Sequence, residues 1–327
     1  MMKRFIAPIS IHFMPDINEI KKLRPPRNIV SPDIPYHFLH EQEPDQKGNL
    51  QQINTIFLTS KECSFNCLMC DLWKNTLKGN TPPGAILKQI DYALNRLPEA
   101  AVIKLYNNGN FFDTKAIPTS DYPGIIQRLR SYRRVIVENH PKLCGESCVE
   151  FNERLNGTLE IAMGLETIHP DVLPKLNKQL SPEDFKDAAA FLRSHEIDIR
   201  AFILLNPPFI TGEQENIQWA LKTVQFAFEC EVGCCSIIPT RPGNGMMEAL
   251  QEKGDYIPPS LNALEEVFES ALNLRQGRVF VDCWDIDFLS SCPRCFEDRK
   301  HRLVQMNLRQ KFHQRIACNC YSNHGAN

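Results

Sequence analysis

The chain has almost no net charge. Its 37 Lys and Arg face 39 Asp and Glu, leaving −2 over 327 residues. No global field therefore draws it towards nucleic acid. No apolar run has the length needed to cross a bilayer, and the apolar stretch within residues 1–10 is too short for a secretory signal. No sequence repeat is evident. The thirteen cysteines do not resemble the dense framework of a small secreted domain. They fall into short-spaced sets instead, which points to metal or cluster chemistry in a reducing compartment, and a cytoplasmic protein is expected. A hydrophobic content of 43% is ample for a large core. It suits one barrel-sized domain with appendages.

The most informative stretch is Cys63-Ser-Phe-Asn-Cys67-Leu-Met-Cys70, directly after a strand expected over residues 53–59. Three thiolates at C-x3-C-x2-C spacing on one loop can converge on one inorganic centre. Zinc sites usually pair C-x2-4-C with a second pair or with histidines, and a third cysteine in the same loop fits that pattern poorly. A cubane iron–sulfur cluster takes four cysteines, so three would leave one iron open to another molecule.

Residues 1–50 are rich in proline and charge and have little helical period. They read as an extended arm lying on the main domain or covering its mouth, or as a partly disordered leader. From residue 53 strands and helices alternate. Strands are expected at 53–59, 101–106, 134–138, 159–165, 199–205 and 234–238, with helices near 84–97, 121–132, 182–195 and 213–230. Ser181, Pro182, Glu183 and Asp184 make a good start for the third helix. Such units imply a parallel sheet with right-handed crossovers. The expected fold is α/β: a partial (β/α)6 TIM-like barrel over residues 51–245, with an N-terminal extended arm (1–50) and a Cys-rich C-terminal extension (246–327).

Function in parallel barrels sits at the C-terminal ends of the strands. That rule singles out the cysteine loop, Asn107-Asn108-Gly109-Asn110, Glu138-Asn-His140, Gly164-Leu-Glu166-Thr167, Asn206-Pro-Pro208 and Pro239-Thr-Arg241. Gly109 lets backbone approach a ligand closely. The Asn-Gly stretch also suits an ordinary turn. Glu138 and Arg241 could merely pair with neighbouring charges.

The cysteine spacing, with Trp73 following, resembles the radical S-adenosylmethionine (SAM) superfamily, although Met69 stands where that motif usually has an aromatic. Residues 106–118, 163–167 and 201–209 resemble the elongator-like branch and its archaeosine synthase radical SAM subunit, over roughly residues 50–245. That archaeal subunit has a longer insertion between its first two cluster cysteines and lacks the cysteine-rich tail. The resemblance implies a 4Fe–4S cluster on Cys63, Cys67 and Cys70 and SAM as cofactor. It implies SAM contacts at Asn107, Asn108, Gly109, Asn110 and Glu166, and a protein electron donor. Glu138, His140 and Arg241 are the catalytic candidates, Arg241 as a holder of the SAM carboxylate or of an anionic substrate.

Beyond residue 245 a helix is expected near 259–275 and a further strand at 278–282. Five cysteines fall in the last 45 residues. Cys292, Cys295, Cys318 and Cys320 could form a four-thiolate site for zinc or for a second iron–sulfur cluster, with Cys283 as a substitute ligand. Residues 299–315 carry six Lys and Arg and no acid. They could touch phosphates or form a solvated helix face. Three functions compete: a radical SAM enzyme on a nucleoside or tRNA-type substrate, one on a small metabolite or peptide, and a non-enzymatic zinc-binding protein.

Overall fold

The computed structural model describes residues 16–290 and 292–320; the first fifteen residues of the expected arm lie outside that range. One eight-stranded sheet runs in the order β1 to β8. Its strands are β1 (His37–Pro44), β2 (Leu50–Phe57), β3 (Val102–Tyr106), β4 (Arg134–Glu138), β5 (Thr158–Glu166), β6 (Asp198–Leu205), β7 (Cys234–Pro239) and β8 (Arg278–Val281). β2 to β8 pair in parallel, and β1 pairs antiparallel with β2. The parallel strands are short, rich in β-branched and aromatic residues, and mostly buried on both faces, as strands sandwiched between helices and a barrel interior must be. The helices are α1 (Ile17–Lys22), α2 (Ala85–Leu94), α3 (Tyr122–Arg128), α4 (Glu146–Glu153), α5 (Pro182–Ser194), α6 (Glu213–Glu229), α7 (Met246–Lys253), α8 (Leu261–Asn273) and α9 (Phe296–Arg309). α5 starts in a capping box between Ser181 and Asp184, with Pro182 in its first turn.

The expected strands and crossover helices are present to within a few residues, and β8 extends the series. Other elements depart from expectation. The helices α1, α4 and α7 lie outside the expected set; the mostly polar pattern of α4 gives a weak apolar stripe. Residues 37–44, read as part of an arm, form an edge strand of the sheet itself. The alternation of that strand is obscured by Glu41 and Glu43, which point inwards to cationic partners. Lys104 of β3 reaches both, and Arg200 of β6 binds Glu43 at 2.8 Å. β1 and β6 are five strands apart in the sheet. Their side chains can meet only across the interior of a curled sheet.

Glu160 of β5 extends this network, accepting from Arg134 and Arg200 at 2.8 Å and from Arg278 at 3.3 Å. Above it lies a layer of rings, with Tyr106 against Phe57 and Phe202 and with Arg200 over Phe280. The barrel therefore has an ionic floor, an aromatic middle and a polar upper rim. A cavity of about 340 Å³ at the lower end is lined by Glu43, Arg134, Thr158 and Arg278. That is the end where parallel barrels carry stability rather than chemistry.

Burial alone would raise the Glu160 carboxyl, but Arg200, Arg278 and Arg134 outweigh it and hold the group down at about 2. Its contribution is therefore full above the unfolded value near 4.5 and is lost as pH falls towards 2. Glu160→Gln, which removes the buried counter-ion that Arg134, Arg200 and Arg278 share, is expected to destabilise the fold by on the order of 3–5 kcal/mol at pH 7. In urea titrations the gap from the parent should narrow below pH 4.5. A gap that stays constant with pH would contradict the assignment.

Candidate functional site

The cysteine loop follows β2 and has no regular structure of its own; hydrogen bonds to its backbone from several directions hold it. Leu68 N–H donates to Leu176 O at 2.9 Å. The Asn177 amide donates to Phe65 O and Asn66 O, and the Asn244 amide to Leu68 O and Cys70 O. The Trp73 indole N–H donates to Cys70 O at 3.1 Å. Burial pushes all three thiols up, Cys67 to about 12. Without a metal they would carry their protons, and a metal would have to displace them.

The chain N-terminal to the sheet clasps this loop. Arg24 binds Glu62 at 2.6 Å and stacks over Trp73, and Arg27 binds both Glu62 and Thr76. The left-handed Gly245 leaves no room for a Cβ, which would lie 1.9 Å from Leu23 O. This clamp was not legible in sequence, because Arg24 and Arg27 stand among prolines with no periodic cue.

The strand ends converge as the barrel rule expects. Asn108, Glu166 and Asn206 all have positive φ, at 56°, 64° and 54°. Asparagine tolerates that conformation, but for a glutamate it costs roughly 1–2 kcal/mol. Such strain concentrates at functional sites. The Asn110 amide donates to Cys63 Sγ at 3.3 Å, and Tyr36 O–H donates to Asn108 at 2.7 Å. A Cβ on Gly109 would meet Cys63 Cβ at 3.3 Å, so the Asn-Gly turn lies directly on the cysteine loop.

Glu138 accepts the backbone N–H groups of Asn107 at 2.5 Å and Gly109 at 3.1 Å. Burial is the larger influence and raises it to about 7. His140 stacks flat on Phe65 at 3.7 Å. Its Nδ1 accepts from Lys142 N–H and its Nε2 lies 3.0 Å from Lys178 O, which fixes a neutral ring with the proton on Nε2. Burial accordingly lowers it to about 3. Glu166 is paired with Lys178 at 2.7 Å, deep in the site. Arg241 is paired with Asp282 at 2.6 Å at the rim. Lys178, which lies beyond the strand end in a loop, gave no sequence signal.

Four buried polar atoms at these strand ends have no partner among the described residues: Asn107 Oδ1, Asn108 Nδ2, Asn206 Oδ1 and Thr240 Oγ1. Leaving such groups unpaired is costly, and their places at the ends of β3, β6 and β7 fit a polar molecule that completes them.

In the tail, Cys292, Cys295, Cys318 and Cys320 converge, all four sulfurs within 4.8 Å. Cys283 is not among them; its thiol lies 3.6 Å from Val281 O. The basic 299–315 segment does not behave as expected. Arg299 and Arg302 are 2% and 3% exposed. They pair with Glu265 and Glu269, and Arg315 pairs with Glu269 as well. Arg299 and Arg302 therefore serve internal packing, whereas Arg309, Lys311 and Arg315 stay exposed. Among the described residues no helix is long and apolar enough to cross a membrane.

No protein-family model matches the chain. The chain is 25% identical over 231 residues to an uncharacterized protein of Methanocaldococcus jannaschii, covering 66% of this chain and 63% of that one. It is 24% identical over 236 residues to archaeosine synthase subunit beta of Methanosarcina acetivorans, covering 66% of each. It thus spans slightly less than two thirds of both relatives. The likeness to the archaeosine synthase subunit read in the sequence is borne out. Among solved structures, spore photoproduct lyase complexed with dinucleoside spore photoproduct superposes with a TM-score of 0.51 at 10% identity, over 83% of this chain and 87% of that one. The two share a fold.

Proposed function

We propose that this chain is a radical SAM enzyme acting on a nucleoside or tRNA-type substrate. The observation that carries the reading is the triad of cysteines on one loop, with Gly109 and Asn110 directly against Cys63 and unpartnered polar atoms on Asn107 and Asn108 at the adjoining strand end. Cys63, Cys67 and Cys70 would hold three irons of a 4Fe–4S cluster. When bound, the cluster and SAM supply one-electron cleavage of the sulfonium C–S bond to a 5′-deoxyadenosyl radical that abstracts hydrogen from an unreactive carbon.

The chain's own residues bind and orient. Asn107, Asn108, Gly109 and Asn110 offer amide and backbone groups to SAM beside Cys63. Lys178 contributes a buried positive charge next to the thiolates, and through its pair it sets Glu166, the candidate ribose contact. Glu138 and His140 are better read as positioning residues than as reacting groups. The Glu138 carboxylate is committed to the Asn107 and Gly109 N–H groups, and both ring nitrogens of His140 are engaged. Arg241 sits at the rim, where an anionic substrate would pass. The clamp of Arg24, Arg27 and Glu62 covers the cysteine loop and helps exclude water.

The nucleoside or tRNA assignment rests on the archaeosine synthase relative. The internal pairing of Arg299 and Arg302 takes two of the six cations away from a long RNA contact and favours the second reading, a small metabolite or peptide. An anaerobic assay of reconstituted protein with SAM and dithionite separates them. 5′-Deoxyadenosine release stimulated several-fold by tRNA or nucleosides, and not by metabolite or peptide pools, is the expected result. Stimulation by the latter pools alone would replace the substrate class, and no release under any condition would reject the enzyme reading.

A further inference from the structure

We propose that Cys292, Cys295, Cys318 and Cys320 hold one tetrahedral zinc ion that clamps α9 across the open edge of the sheet. The distances distinguish one ion from a cluster. A tetrahedral zinc–thiolate site with Zn–S bonds of about 2.3 Å sets its sulfurs about 3.8 Å apart. Here Cys292 and Cys318 are 3.8 Å apart, Cys295 and Cys320 are 3.4 Å apart, and all four sulfurs lie within 4.8 Å of one another. A cubane puts each thiolate on a different iron, and a two-iron cluster splits four thiolates into two separated pairs. Neither suits four sulfurs this close. Disulfides would draw them together two by two to about 2.05 Å.

The place of the site gives its role. β1 and β8 are the two edges of the curled sheet and do not pair with each other. α9 packs against both. Its Asn307 side chain accepts from Val281 N–H at 2.9 Å and donates to Val281 O at 2.8 Å. Gln310, just past the helix, does the same for Val279, at 2.8 and 2.7 Å. Two side-chain amides thus stand in for a missing neighbouring strand and blunt the exposed edge of β8. Cys295 is the residue that caps α9, and Cys318 and Cys320 lie on the returning chain. One ion joining them ties both ends of the α9 segment together. Four thiolates leave no open position, so the site is structural. The inference does not depend on the proposed enzymatic function.

The test uses full-length protein carrying Cys63→Ala, Cys67→Ala and Cys70→Ala, so that the tail is the sole cluster candidate, purified anaerobically. The expected content is about one zinc per chain with no acid-labile sulfide. Cobalt exchanged into the same protein should give the intense visible bands of a tetrahedral thiolate site. Adding Cys318→Ser and Cys320→Ser should remove the metal and speed proteolytic cleavage near α9 several-fold. Several irons with sulfide, a single iron, no metal at all, or four thiols missing from a count in denaturant would each overturn the proposal. Because the first measurement leaves the tail intact, misfolding of the serine variant cannot obscure the answer.

Discussion

Replacing Cys63, Cys67 and Cys70 together with alanine is expected to reduce 5′-deoxyadenosine formation by at least three orders of magnitude, to the uncatalysed background. The carboxylates nearby are committed elsewhere: Glu62 to Arg24 and Arg27, Glu166 to Lys178, and Glu138 to the Asn107 and Gly109 N–H groups. Reconstituted protein should lose about four irons and about four sulfides per chain, while the tail metal stays. The cost to the fold should be small, because the loop is fixed by its carbonyls, which alanine retains. Substantial SAM cleavage by the triple variant would reject these ligands. Loss of tail metal together with activity would indicate unfolding instead.

Gly164→Ala tests the other half of the site. A Cβ at Gly164 would lie 2.3 Å from Glu166 Oε1 and 2.4 Å from Lys178 Nζ. Both are ends of flexible side chains, and Gly164 is not among the positive-φ residues. The backbone can therefore accept alanine while the Glu166–Lys178 pair is pushed apart. Disturbing one charged hydrogen bond in a buried site is worth about 2 kcal/mol, so SAM affinity should fall about thirtyfold. Calorimetric titration of the reconstituted protein with SAM, alongside a thermal melt, makes the measurement. Unchanged affinity with an altered side-chain pair would remove Glu166 from the cofactor site. A large drop in melting temperature would show that the pair supports the fold instead.

The placement of both sites could be read from sequence because their signals are local. A strand, a loop and three cysteines within eighteen residues need no tertiary information to be placed together. The rule that ligands gather at strand ends then points to Asn107 to Asn110, Glu138, Glu166 and Asn206 as candidates. The same local reading misjudged residues 37–44 and the arginines Arg299 and Arg302. In both, charged residues are buried by partners far away in the chain: Glu43 by Arg200, and Arg299 by Glu265. Charge in a sequence reads as exposure, because an isolated ion resists leaving water, and only the fold supplies the counter-ion.

By itself the sequence determined the alternation of strands and helices, the cysteine loop and the candidate tail ligands, each set by short-range spacing and by which residues can be buried. The tertiary structure alone decided that β1 joins the sheet. It also decided that Arg24, Arg27 and Lys178 serve the cysteine loop, and that four tail sulfurs close to the spacing of a single ion. Those outcomes depend on where distant segments meet across a curled sheet, and such meetings are fixed by the packing of the whole chain rather than by any stretch of it.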